Sequence, residues 1–496
     1  MNGIIIAVIA IALWIAIIIV LKKKYPEKVS LMGPVLLLKT KRGRKLIEKI
    51  SKKKFWKHYA RICIFVSYSL LVFSFAMIIW EAYMAMYVPK SRAPSPVEAL
   101  GIPGINPVIP ITYGIVGLIV AIVVHEGAHG IMASWQKLKI MSMGIALFIV
   151  PVGAFVEPDE EELTKAPRYK RVKVFSAGPS TNIIVGLISL MIFLGSVSAI
   201  SPKHEGVVVM DELISSPFHY GDVIERIGNY TVKSSSDIYD IKLPPAQSVV
   251  VSVYRGERKL NINYTAGLYI VDVLEGTPAI SVGIEKGSII VSVDGNPIYN
   301  YKSFLEILGQ KKAGETIELI LYKDSSYKHY NLTLMDKYDY YSKQESVCID
   351  EYKGKGFMGV SVAYMGLSLV GCSEILQYIG SYSLQSPFQS FLKFISLPFL
   401  GFEPLPKEIQ SLYSTPLPLF WEIVHYSYWI AWLNILVGLT NLLPAIPLDG
   451  GYIVRDALAK ILEKRKNGEK LADRITTSLA FVVLFLILWI FLVPRI

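Results

Sequence analysis

The chain has 496 residues, 52% of them hydrophobic, and a mean hydropathy of +0.44, too long for one domain and too apolar for an ordinary soluble protein. Its net charge of +11 does not point to nucleic acid, because the basic residues concentrate between Lys22 and Arg61, flanked by apolar stretches, and read as cytoplasmic anchors beside anionic lipid. Three cysteines exclude a disulfide scaffold and a cysteine zinc site; Cys348 and Cys372 are either a pair or two free thiols.

Residues 4–21 are an apolar run of bilayer length followed at once by lysines, which reads as a first span with the N-terminus outside. Residues 22–61 stay in the cytoplasm by the positive-inside rule, residues 63–87 form the second span, and residues 89–107 an outer loop. The third span starts near Val108 and reaches His125 after about 17 residues, roughly 26 Å at the helical rise, so His125 lies towards the cytoplasmic side. The run Val123-Val124-His125-Glu126-Gly127-Ala128-His129-Gly130 sets two imidazoles four residues apart on one helix face, within reach of one metal ion, with a carboxylate beside them. The alternative is histidines satisfied by backbone carbonyls or facing a water-filled cavity; the cost of ionisable groups at membrane depth favours coordination.

Residues 144–156 are apolar but broken by Pro151 and Gly153, and read as a re-entrant hairpin that pairs with substrate as an extended strand, with Gly153 and Phe155 as candidate contacts. The fourth span, residues 174–200, opens with Ala177-Gly178-Pro179 and carries Asn182 at the depth of the histidines. The fifth, residues 419–443, ends in Asn441-Leu442-Leu443-Pro444-Ala445-Ile446-Pro447-Leu448-Asp449-Gly450-Gly451, where two prolines and two glycines break the helix around one carboxylate. Because this span also runs from outside to inside, Asp449 arrives at the depth of His125 and His129. Residues 479–493 make the last span. Two imidazoles and a carboxylate leave the fourth tetrahedral position of Zn²⁺ to water, with Glu126 as proton acceptor and Asn182 and Asn441 as candidate donors to the substrate or oxyanion.

From residue 201 the composition turns to that of a soluble α/β region that repeats itself: residues 206–217 match 267–278 at an offset of 61, and 221–229 match 287–295 at an offset of 66. The copies resemble the circularly permuted PDZ domains attached to membrane proteases. That resemblance implies capture of peptide termini by strand addition at Gly267, Leu268, Tyr269 and Ile270. The expected fold is a multi-pass α-helical membrane protein of about six transmembrane helices with an inserted soluble α/β region of two PDZ-like domains. Its expected parts are an N-terminal membrane region (1–201), the PDZ-like domains (202–265 and 266–336), an extracytoplasmic connector with an interfacial helix (337–417) and a C-terminal membrane region (418–496).

Three motifs together resemble the site-two protease family of intramembrane zinc metalloproteases: His125-Glu126-Gly127-Ala128-His129, Ala177-Gly178-Pro179 with Asn182, and Asn441 through Pro444 and Pro447 to Leu448-Asp449-Gly450-Gly451. The hairpin Val150-Pro151-Val152-Gly153-Ala154-Phe155-Val156 adds a weaker match. The resemblance implies one Zn²⁺ per chain held by His125, His129 and Asp449, and Glu126 as general base. It also implies cleavage of transmembrane segments of membrane-anchored regulatory proteins near the cytoplasmic side, with extracytoplasmic PDZ-like domains restricting access. The rival readings are a membrane-tethered PDZ scaffold with a non-catalytic metal site, and an ion transporter, which would carry ionisable groups along several helices rather than in one cluster.

Overall fold

The computed structural model describes the chain except residues 1, 27, 33–34, 41–42, 91–92, 100, 149, 345–349, 383–384, 401 and 403–404. It has two compact units, Met1–Phe193 with Val424–Ile496, and Leu194–Ile423. Cys348, and with it the question of its pairing with Cys372, lies outside the described residues.

The first unit is built on α1 (Asn2–Lys24), α2 (Arg44–Ser51), α3 (Trp56–Met84), α4 (Ile111–Trp135), α5 (Glu160–Lys165), α6 (Arg168–Ser198), α7 (Phe420–Asn441), α8 (Asp449–Ile461) and α9 (Gly468–Leu492). Among the described residues five helices, in α3, α4, α6, α7 and α9, are long and apolar enough to cross a membrane. The third of the expected spans starts at Ile111 rather than Val108 because Pro110, in extended conformation, caps it. Hydrogen bonds between side chains lock α3 to α6: Ser67 to Ser180 at 3.0 Å and Tyr59 to Thr181 at 2.6 Å.

Residues 22–61, expected only as a basic loop, also supply two strands. β1 (Val29–Met32) and β2 (Val35–Thr40) join β3 (Ile140–Phe148) and β4 (Val150–Pro158) in an antiparallel sheet of order β1-β2-β3-β4. Leu36, fully buried, faces Leu147 across the sheet and Lys39 faces Gly144, while Lys39 Nζ pairs with Glu157 at 2.9 Å. The nearly continuous apolar residues of these short strands, Leu36 to Leu38 above all, are what pull a charged segment onto the hairpin. The hairpin expected at 144–156 therefore exists with longer arms, and β4 is left as an end strand.

In the second unit, β5 (Val207–Glu212), β6 (Val223–Ile227), β7 (Ser248–Arg255) and β8 (Arg258–Thr265) are followed by β9 (Leu268–Val273), β10 (Ile289–Val293), β11 (Thr316–Lys323), β12 (Ser326–Thr333), β13 (Val360–Tyr364) and β14 (Leu367–Gly371). They form two sheets of the same plan, β8-β7-β6-β5-β14 and β12-β11-β10-β9-β13. The repeat read from the sequence returns as geometry. Register shifts fall between Ile224 and Arg226 in one sheet and between Ile290 and Ser292 in the other, and again where β14 meets β5 and where β13 meets β9. Each sheet closes over its own core, one around Phe218, Ile224, Ile227 and Val251, the other around Ile270, Ile290, Phe304 and Leu319.

Two expectations are corrected here. Residues 337–417 are not merely a connector, because β13 and β14 complete the two sheets; the second sheet is nested inside the chain interval of the first. Gly267, Leu268, Tyr269 and Ile270 do not offer a free edge, since β9 is bonded to β10 on one side and to β13 on the other. Strand addition there is closed because the donors and acceptors it would use are taken.

Candidate active site

His125 and His129 project from one face of α4, their rings nearly perpendicular with centroids 4.7 Å apart. Their Nε2 atoms stand 3.1 Å from each other, and each lies 3.2 Å from Asp449 Oδ2. The three side chains are only 10%, 12% and 12% exposed. Asp449 is the first residue of α8, where the unpaired N–H groups of the first turn favour a carboxylate. The broken segment before it folds back on the helix start. A Cβ on Gly451 would meet the Ala445 carbonyl carbon at 2.6 Å, so only glycine lets the two backbones approach this closely.

Helix α6 supplies the opposite wall. His129 Nδ1 lies 2.8 Å from the Val174 carbonyl oxygen, an acceptor only, so Nδ1 carries the proton and the Nε2 lone pair faces Asp449 and His125. Gly178 lies flat on both rings: a Cβ there would stand 2.7 Å from His129 Cε1 and 2.9 Å from His125 Cε1. The small residue expected at the depth of the histidines is thus in direct contact with them.

The donor set fits zinc. Tetrahedral Zn²⁺ with bonds of about 2.0–2.1 Å sets its ligand atoms roughly 3.3 Å apart, close to the triangle formed by the two imidazole nitrogens and the carboxylate oxygen. Borderline nitrogen ligands, one hard oxygen and a backbone-fixed tautomer are the composition of a catalytic zinc site. Among the described residues this is the one group of three such side chains close enough to share an ion.

The flanking residues divide. Glu126 reaches β4, where the Val156 backbone N–H donates to Glu126 Oε2 at 3.0 Å. Asn182 is fully buried on α6, one turn past Gly178, with neither amide atom bonded to a described protein group. Asn441 Nδ2 is turned to its own helix, donating to the Val437 carbonyl at 2.9 Å. Gly153 and Phe155 both lie on β4, opposite Ala146 and Gly144, and the Phe155 ring covers Gly144 across the hairpin. Reasoning from side-chain types missed Val174 and Val156, which act through backbone groups and leave no mark in residue identity.

A family model described as Peptidase family M50 matches residues 113–487. An uncharacterized protein of Methanocaldococcus jannaschii is 31% identical over 264 residues, 52% of this chain and 69% of that protein. A putative zinc metalloprotease of Borreliella burgdorferi is 24% identical over 198 residues, 37% of this chain and 45% of that protein. Zinc metalloprotease RasP of Shouchella clausii is 28% identical over 218 residues, 43% of this chain and 48% of that protein. The chain thus spans about two thirds of the first relative and just under half of the other two. Among solved structures, the PDZ domain of the SdrC-like protein from Listeria monocytogenes aligns at 20% identity with a TM-score of 0.16, covering 20% of this chain and 87% of that one.

Proposed function

The chain belongs to peptidase family M50, the site-two protease family of membrane zinc metalloproteases, and from that premise we propose that it cleaves transmembrane segments of membrane-anchored proteins inside the bilayer. The observation that carries the reading is the convergence of Nε2 of His125, Nε2 of His129 and Oδ2 of Asp449 within 3.2 Å, two of the three on a helix of membrane length.

His125, His129 and Asp449 would hold one Zn²⁺, which would supply Lewis-acid polarisation of the scissile carbonyl and a lowered pKa for water at the site. Glu126 accepts the proton of the attacking water and returns it to the leaving amine. Its carboxylate is already anchored at the outer edge of β4, where an unwound substrate strand would pair with the backbone. Asn182, buried and unbonded among the described groups, donates its amide to the substrate once a carbonyl reaches it. His129 keeps its orientation through Val174, and Gly178 keeps the wall behind both rings flat.

The active site lies near the cytoplasmic side and the two sheets lie outside the membrane, six spans in all. The sheets are PDZ-like domains that govern access, and β13, an end strand paired to another strand on one side only, takes the peptide-capturing role first expected of β9. The test is cleavage of a model transmembrane substrate by the purified full chain, with and without chelator, beside Glu126→Gln. Loss of cleavage in both arms is expected; cleavage indifferent to both would overturn the mechanism and leave a tethered scaffold.

A further inference from the structure

Helices α6 and α8 touch at two levels and meet the same pair of imidazoles at a third, which together form an antiparallel ladder. At the end away from the histidines, Arg171 of α6 grips Asp456 of α8 through two parallel bonds, Nε to Oδ2 at 2.9 Å and Nη2 to Oδ1. At the middle level the rings of Phe175 and Tyr452 stack with centroids 4.6 Å apart and planes 10° from parallel. At the third, Gly178 lies on the imidazoles that converge on Asp449. Four residues then three along α6, from Arg171 to Phe175 to Gly178, are matched by four then three backwards along α8, from Asp456 to Tyr452 to Asp449.

The lowest rung is built as an anchor. Asp456 is 3% exposed, and the remaining guanidinium nitrogen of Arg171 donates to the carbonyls of Thr164 and Ala166 at 2.9 and 3.1 Å. One planar cation thus ties α8 to α6 and to the segment entering α6, which a lysine's point charge cannot do. Arg455 comes no nearer to Asp456 than 3.9 Å and is committed to Asp473 on α9 at 2.6 Å. A metal ligand tolerates errors of about 0.2 Å, while a slip of α8 by one residue moves its first side chain by about 1.5 Å along the axis. The broken segment before Asp449 has no regular hydrogen-bond ladder to prevent such a slip; the rungs below do.

We propose that Arg171 and Asp456 are positioning residues for the third metal ligand: their ion pair, with the Phe175–Tyr452 stack, sets the axial register of α8 so that Asp449 meets His125 and His129. This rests on the zinc-centre reading of those three residues. The measurement uses the purified full chain loaded with Zn²⁺, then with Co²⁺ as a visible probe, and follows extraction by chelator, the Co²⁺ absorption spectrum, and KM against kcat. Arg171→Gln and Asp456→Asn are expected to lose metal about tenfold or more faster than the parent and to alter the Co²⁺ spectrum, in the range typical of supporting residues around metal ligands. They should lower kcat with KM held. The exchanged pair Arg171→Asp with Asp456→Arg should recover much of the retention, and Lys165→Gln, in an exposed pair on α5, should match the parent. Folded Arg171→Gln and Asp456→Asn proteins with parental extraction rate and spectrum would overturn the proposal. If these two do not fold, Phe175→Leu decides: faster metal loss supports the ladder, parental retention overturns it. A parent that binds no metal, or binds it equally after His129→Ala, instead overturns the zinc-centre reading.

Discussion

The backbone N–H of Val156 donates to Glu126 Oε2 at 3.0 Å, so the carboxylate proposed as proton acceptor is bonded to the strand proposed to receive substrate. Glutamine in its place can still accept that N–H but cannot take a proton. Glu126→Gln is therefore expected to keep zinc at parental stoichiometry and to lose about 10²–10⁴-fold in cleavage rate, read by metal analysis and a substrate assay on the same preparation.

Because the amide at Val156 points away from β3, strand alternation puts the N–H of Ala154 on the same outer edge. Ala154→Pro removes that donor without removing a bond to β3. We expect cleavage of a transmembrane substrate to fall by about tenfold, on the order of one to two hydrogen bonds, with zinc content unchanged. A parental rate would mean that substrate does not pair with β4.

Gly178 has no room for a side chain, since a Cβ would press on both imidazoles at 2.7 and 2.9 Å. Gly178→Ala should push His125 and His129 away from Asp449, lowering zinc retention and activity together while the helices still form, because alanine favours helix over glycine by about 1 kcal/mol. Chelator extraction and circular dichroism of the same sample check both halves of this expectation.

In the second unit, Glu374 joins the helix after β14 to the helix Ser235–Asp240. Its carboxylate accepts from the Gly371 N–H at 2.9 Å, the Ser235 N–H at 3.0 Å and the Ser235 hydroxyl. Burial raises its pKa, but these hydrogen bonds outweigh burial and hold it below the ordinary value of 4.5. A carboxyl depressed in the folded state stabilises fully above its unfolded value, and that contribution is lost as pH falls through the folded one. Glu374→Gln should therefore flatten the stability of this unit below about pH 4.5, measured by denaturant unfolding across the acid range.

The candidate site was more legible in the sequence than the sheets. His125, Glu126 and His129 announce themselves by helical spacing, and Asp449 by the prolines and glycines that break its helix, because those signals are local. β1 and β2 were hidden because their short apolar run, broken by Gly33-Pro34 and set between Lys28 and Lys39, lies inside a basic segment, and pairing with β3 gives it a reason to be strand. The edge assigned to Gly267–Ile270 failed for the same reason: which side of a strand is free depends on segments far along the chain, here β13, about ninety residues later. Arg171, Phe175, Tyr452 and Asp456 look like ordinary helix residues until the two helices are laid against each other.

The nesting of one sheet within the other dictates an order of events as the chain leaves the ribosome. The inner sheet has every strand in hand once Tyr364 has emerged, and it can close at once. The outer sheet begins sixty residues earlier yet waits with an open side until Leu367–Gly371 follows. The half-made outer sheet must therefore survive, unpaired along β5, while its neighbour is finished. A premature stop after Tyr364 but before Leu367 leaves a complete inner sheet beside an exposed strand, a product that quality-control machinery should recognise and remove.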